Sequence, residues 1–152
     1  MSYKQKIWFI CDRRINRVIE FDRVIVIGLG KLAYQCADYV LQNYGIESVL
    51  CDVNDNSSEF LRQMCDNSDV KYCNYPPDQL FAFLEAEQKR TLMISATNPL
   101  IIPKRVLEKA NIKAINLHHA LLPEHPGRYA EAWAIFENEI GGGGGQELHG
   151  IC

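Results

Sequence analysis

The chain has no apolar run of the ~18–20 residues that a membrane-spanning helix requires; its longest candidates, around Val24–Ile27 and Leu100–Ile102, are strand-length. It lacks the unbroken apolar core of a secretory signal, because Lys4, Lys6, Asp12, Arg13 and Arg14 interrupt the N-terminal segment. It lacks a dominant charge sign: 16 basic against 19 acidic residues give a net charge of −3, which argues against an extended nucleic-acid surface. Its six cysteines, at 11, 36, 51, 65, 73 and 152, include no CxxC pair and no zinc-type Cys/His spacing, so no metal is expected. Reduced thiols in a cytoplasmic protein are the expectation, with Cys36 and Cys51 in the core. No internal repeat is evident, and the single low-complexity tract is Gly141–Gly145, a glycine linker or loop.

What is present is globular. Hydrophobic residues make up 47% and charged residues 23%, near the average for folded domains. A chain of 152 residues fits one domain, and such a domain buries roughly two thirds of its unfolded surface without staples.

Tyr3–Ile10 reads as an edge strand or docking arm, and Arg13, Arg14 and Arg17 as a solvated face. Arg23–Ile27 is a continuous β-branched run, the mark of a strand buried on both faces. Lys31–Asn43 carries apolar residues at helical spacing and stops at Gly45. Ser48–Val53 is a second strand, completing a βαβ unit. Ser57 or Ser58 caps a short helix, Glu59–Cys65. Val70–Cys73 is a third strand and Pro77–Glu87 a helix with Leu80, Phe81 and Leu84 on one face. Thr91–Ala96 is a fourth strand, Pro103–Ala110 a helix, Lys113–His118 a fifth strand and Ala130–Asn138 a last helix. The alternation predicts an α/β fold: a Rossmann-like open, mostly parallel sheet with helices on both faces.

Two motifs carry chemistry. Gly28-Leu29-Gly30-Lys31-Leu32-Ala33 is a GxGxxA turn between strand and helix, and Asp52 ends the next strand 22 residues after Gly30. This is the arrangement that holds a dinucleotide, with helix amides on the pyrophosphate and the acid on a ribose hydroxyl. The same glycines also serve simply to bring helix and strand close, so a Rossmann-type NAD(P)-binding module and a packing turn both stand. The second motif is Ile115-Asn116-Leu117-His118-His119-Ala120-Leu121-Leu122-Pro123. Strand alternation puts Asn116 and His118 on one side, at the C-terminal end where open α/β sheets bind ligands. An imidazole titrates near neutrality and can carry a proton, and an amide can donate to a developing oxyanion. A core histidine beside a turn is the competing reading.

The run Asn116-x-His118-x-x-Leu121-Leu122-Pro123, then Gly127 and Trp133-Ala134-Ile135, resembles the formyltransferases that use 10-formyltetrahydrofolate. These include methionyl-tRNA, glycinamide ribonucleotide and sugar N-formyltransferases, and formylation domains of peptide synthetases. Asn98-Pro99-Leu100-Ile101-Ile102-Pro103 is similar to that family's loop before the strand. The resemblance spans about residues 22–140 and is specific over about 94–139. It implies that Asn116 and His118 are two of three catalytic residues. It implies a folate pocket formed by Ala96, Thr97, Asn98, Leu100, Ile101 and Ile102, with Leu121, Leu122 and Pro123 as the wall near the formyl donor. Direct transfer to a primary amine of a small molecule would follow: an amino sugar, an amino acid or a carrier-bound aminoacyl group. No nucleic-acid or membrane partner is implied, and a homodimer or fusion to further domains is compatible with it.

The chain departs from the family pattern. Ala120 replaces a serine, and Glu124 stands where a basic residue is usual, either favouring a cationic amine or simply solvated. No position matches the family's catalytic aspartate, since Asp52, Asp55 and Asp78 fall in other segments. The resemblance therefore makes 1–152 a single domain that is incomplete at its C-terminus and nearly inactive alone. On the same grounds a non-catalytic remnant, with a sheet edge left exposed where later strands would pair, is a further alternative.

Overall fold

The computed structural model describes residues 20–118 and 147–150, with side chains for 20–117. The elements are β1 (Arg23–Gly28), α1 (Gly30–Tyr44), β2 (Glu47–Asp52), α2 (Glu59–Ser68), β3 (Lys71–Cys73), α3 (Pro77–Ala86), β4 (Thr91–Ala96), α4 (Lys104–Leu107), β5 (Ile112–His118) and β6 (Glu147–Gly150). One sheet runs β3-β2-β1-β4-β5-β6. The first five strands are mutually parallel and β6 is antiparallel to β5. This is the expected Rossmann-like fold.

The continuous apolar run of β1 has a direct cause. Val24 and Val26 pack on the face covered by α1 and α2, among Ala33, Ala37, Val40 and Cys65. Ile25 and Ile27 pack on the opposite face against Leu80 and Leu84 of α3 and Val106 of α4. All four strand residues have no exposed surface, so each contributes on the order of 1.5–3 kcal/mol of burial. Cys51 lies in the core as expected, whereas Cys36 is only half-buried at its margin.

Local chemistry sets the helix ends. Gly45, at φ 62°, stops α1 and returns its N–H to the Leu41 carbonyl. The Ser58 hydroxyl accepts from the Leu61 N–H at 3.2 Å and starts α2. Pro77 sits in the first turn of α3 with Asp78 beside it. The helix expected over Pro103–Ala110 is a single turn, Lys104–Leu107. Asn111 shortens it: its amide donates to the Glu87 and Lys89 carbonyls, and its own carbonyl accepts from the Thr91 N–H. The chain is thereby pulled straight into β5. The sheet edge expected to lie exposed is instead covered, because β6 pairs with β5 from Ile115↔Gly150 to His118↔Glu147. Tyr3–Ile10, Ala130–Asn138 and Gly141–Gly145 lie outside the described residues. No helix among the described residues is long and apolar enough to cross a membrane.

An ion-pair network closes the end of the sheet where β1, β2 and β4 begin. Arg23 makes a two-pronged contact with Glu47 at 3.0 and 3.1 Å and reaches Glu87 at 2.6 Å. Lys71 and Lys89 also bond Glu47. The Arg23 hydrogen bond is the main reason the Glu47 carboxyl is held well below the usual range. Burial pushes Glu87 upward, but the Lys89 N–H and Arg23 outweigh it and its net shift is also downward. A carboxyl with a depressed folded-state pKa stabilises the fold above the unfolded value of ~4.3, and that contribution fades as pH falls below it. Urea midpoints should therefore drop between about pH 4.5 and pH 3. Glu47→Gln should be less stable than the parent at pH 7 and show a flatter acid dependence; equal slopes for the two proteins would contradict this.

Candidate active site

The strand order reverses at β1, which leaves by α1 to β2 on one side while β4 lies on the other. In an open α/β sheet the crevice beyond the strand ends at such a point is where ligands bind. Here two segments border it: the turn Gly28-Leu29-Gly30 and the loop 97–103 after β4.

Gly28 pairs with Ala96 across the β1–β4 ladder. A methyl group on Gly28 would sit 1.7 Å from the Ala96 carbonyl oxygen, 2.8 Å from its carbon and 3.2 Å from the Ala33 side chain. Gly30 follows at φ 68°, a left-handed conformation that suits glycine. The first glycine and Ala33 of the GxGxxA motif are thus explained by close packing, without a ligand.

Asp52 is likewise committed. Its carboxylate is buried, with 1% exposure. One oxygen accepts from the Asn54 backbone N–H at 3.1 Å and the Asn54 amide at 2.5 Å. The other accepts from the Ser58 N–H at 3.2 Å and the Tyr72 hydroxyl at 2.6 Å. Burial first, then the bond to Asp52, pushes the Tyr72 phenol well above its ordinary value, so it stays a donor. A carboxylate with four donors inside the protein is a loop brace, and a ribose hydroxyl would have to displace them. The dinucleotide reading loses both its glycine and its acid to structure.

The loop after β4 is built differently. Thr97 holds φ 54°, a conformation that costs a β-branched residue on the order of 1 kcal/mol or more. Asn98 ties the loop back: its carbonyl accepts from the Leu100 N–H at 2.9 Å, and its amide donates to the Leu100 carbonyl at 3.2 Å and the Ser95 hydroxyl at 3.3 Å. Leu100 and Ile102 pack inward against the α3–α4 face, and Ile101 between them is 89% exposed. A large aliphatic side chain held outward by a braced loop, beside a crevice, is a surface that a ligand can cover.

β5 brings the second motif to the same place. Ser95 pairs with Asn116 and Ala96 with Leu117. Asn116 is half-buried and lies one strand away from the hydroxyl that anchors Asn98. His118 ends β5, opposite Glu147 of β6; its side chain lies outside the described residues, as do Leu121, Leu122 and Pro123. The structure thus brings Ala96, Thr97, Asn98, Leu100, Ile101, Ile102 and Asn116 together with the backbone of His118. Ser95 was missed in the sequence. Its signal is the one hydroxyl in the second half of an otherwise apolar strand, Leu92-Met93-Ile94-Ser95-Ala96.

Residues 76–144 match the formyl transferase family model. Glycinamide ribonucleotide transformylase 1 from Geobacillus kaustophilus shares the fold with a TM-score of 0.61 at 16% identity, over 88% of this chain and 85% of that one. The enzyme of the same name from Symbiobacterium toebii gives 0.62 at 17% identity, over 91% of this chain and 66% of its own. A sugar N-formyltransferase from Shewanella sp. gives 0.54 at 15% identity, over 77% of this chain and 47% of its own. No curated protein matches the chain.

Two substitutions test the site's framework. Gly28→Ala should cost at least about 3 kcal/mol in urea unfolding, because the clash is with a neighbouring backbone; a loss below 1 kcal/mol would show that β1 and β4 can part. Thr97→Gly should raise stability by about 1 kcal/mol by relieving the left-handed backbone, whereas no gain would mean that the threonine side chain offsets its own strain.

Proposed function

We propose that the chain moves a formyl group from 10-formyltetrahydrofolate to a primary amine of a small molecule, a reading supported by the match of residues 76–144 to the formyl transferase family model and by the shared fold. The observation that carries the proposal is the pairing of β4 with β5. It sets the braced loop 97–102 beside Asn116 and the end of β5 at His118.

In this reading the pteridine lies along loop 97–102, held by backbone groups and covered on one side by Ile101. The amine nitrogen attacks the formyl carbon, and negative charge builds on the formyl oxygen. Asn116 donates its amide N–H to that oxygen, as a fixed dipole that needs no reorganisation during the step. His118 supports the same charge or receives the amine proton. Leu121, Leu122 and Pro123 would wall the donor. The acceptor is an amino sugar, an amino acid or a carrier-bound aminoacyl group, in keeping with a net charge of −3 that does not suit a nucleic acid. A dinucleotide role is not favoured, because Asp52 and Gly28 are engaged within the fold.

Calorimetry of the chain with 10-formyltetrahydrofolate, followed by tetrahydrofolate release with a panel of amines, tests the proposal. Donor binding is expected, with Ile101→Asp weakening it about tenfold or more. Asn116→Ala should leave donor binding nearly intact and lower transfer on the order of 10²-fold or more. Neither binding nor transfer in the parent chain would overturn the assignment.

A further inference from the structure

At the edge of the sheet opposite β5, two cysteines face each other across adjacent strands. Cys51 of β2 and Cys73 of β3 are register partners, and their sulfurs are 3.1 Å apart. We propose that Cys51 and Cys73 are a reversible redox site, in which a hydroperoxide converts the dithiol to a disulfide bonding β2 to β3.

Three observations support the pair. The sulfurs already touch, and closing them to the ~2.05 Å of a bond needs a shift of about 1 Å. β3 supplies that shift most easily, since it is three residues long and the outermost strand of the sheet. Access is asymmetric. Cys51 is 1% exposed, whereas Cys73, on the outermost strand, is half-buried. Cys73 is therefore the sulfur a small oxidant meets first and Cys51 the one that resolves it. The electrostatics point the same way. Hydrogen bonding with Cys51 lowers the Cys73 pKa despite burial and the nearby Asp52 charge, whereas the same contact and burial raise that of Cys51.

The chemistry balances. The Cys73 thiol gives up its proton and its thiolate attacks the hydroperoxide; an S–O bond forms to give the sulfenic acid as the O–O bond breaks, and the leaving alkoxide (hydroxide, from hydrogen peroxide) takes up that proton and departs as the alcohol (or water). The Cys51 sulfur then attacks that of Cys73, an S–S bond forms, and hydroxide leaves with the Cys51 proton as water. The residues flanking Cys73 give the bond a consequence. Tyr72 holds Asp52 and the Ser58 N–H, and Asn74 donates to the Asp52 and Asn54 carbonyls. Oxidation thus pins the segment that shapes the loop 53–58 after β2.

Reduced chain treated with hydrogen peroxide should lose the mass of two hydrogens, and its titratable thiols should fall from six to four. Digestion after Lys71 and after Glu47, Glu59 and Glu85 separates Cys51 and Cys73 from the other cysteines. The products should contain peptide 48–59 linked to 72–85, and dithiothreitol should release it. Cys73→Ser should abolish the loss of mass, and the mapping of unsubstituted chain is decisive even if that variant folds poorly. Oxygen adducts on Cys73 without the linked peptide, a disulfide joining any other pair, or no reaction at Cys73 would each overturn the proposal.

Discussion

The approach of β1 to β4 at Gly28 and Ala96 governs much of the molecule. The strands are close enough there that no side chain fits on residue 28. That contact fixes where the sheet's two halves meet, and hence where the crevice opens. It also sets the starting points of two loops. Leu29-Gly30 leaves one side with a left-handed turn into α1, and Thr97 leaves the other in the same left-handed region without being glycine. Two successive backbone constraints, a forbidden Cβ and an unfavourable φ, lie on either side of the candidate site. Strain of this kind persists only where surrounding contacts over-determine it. The Asn98 bonds and the inward packing of Leu100 and Ile102 supply that restraint.

The fold was legible because its signals are local and redundant. An uninterrupted β-branched run such as Arg23–Ile27 has few alternatives to a strand buried on both faces, and Gly45 and Ser58 mark helix ends by their own chemistry. Thr91–Ala96 begins and ends where the pattern says. What escaped was set by partners distant in sequence. The helix after Pro103 is cut to one turn by an asparagine amide bonding carbonyls more than twenty residues away. β6 (Glu147–Gly150) has no strand pattern of its own and forms because the open edge of β5 offers unpaired backbone groups.

The site was legible in a more divided way. Asn116 and His118 on a strand end pointed to one end of the sheet, and the register of β4 with β5 sets the loop at 97–102 at that same end. The GxGxxA turn and its acid were ambiguous for a physical reason. Glycine at a strand-to-helix turn answers equally to a phosphate and to a carbonyl oxygen pressed against Cα, and only the neighbour decides. Spacing alone says that Asp52 ends a strand where a ribose could lie; it cannot say that Tyr72, twenty residues later, comes back to occupy it.

That division of labour between the sheet's two halves has a physical logic. In the half containing β2 and β3, the two polar side chains at the strand ends are satisfied internally: Asp52 by four donors and Asn74 by two carbonyls. In the half containing β4 and β5, the loop satisfies its own backbone through Asn98 while leaving Ile101 outside. A closed polar network resists rearrangement, since each member left unpaired costs on the order of 1–3 kcal/mol. An apolar side chain held out in water gains by being covered. The first half is therefore a rigid support, and the second presents the exposed apolar surface that the proposed donor would cover. Orientation against a fixed frame is what a direct group transfer requires, because reacting atoms must be held near contact distance while charge develops on one oxygen. The same rigidity gives the Cys51–Cys73 contact its meaning: in a half-sheet with few soft places, the three-residue edge strand is where a covalent change can be accommodated.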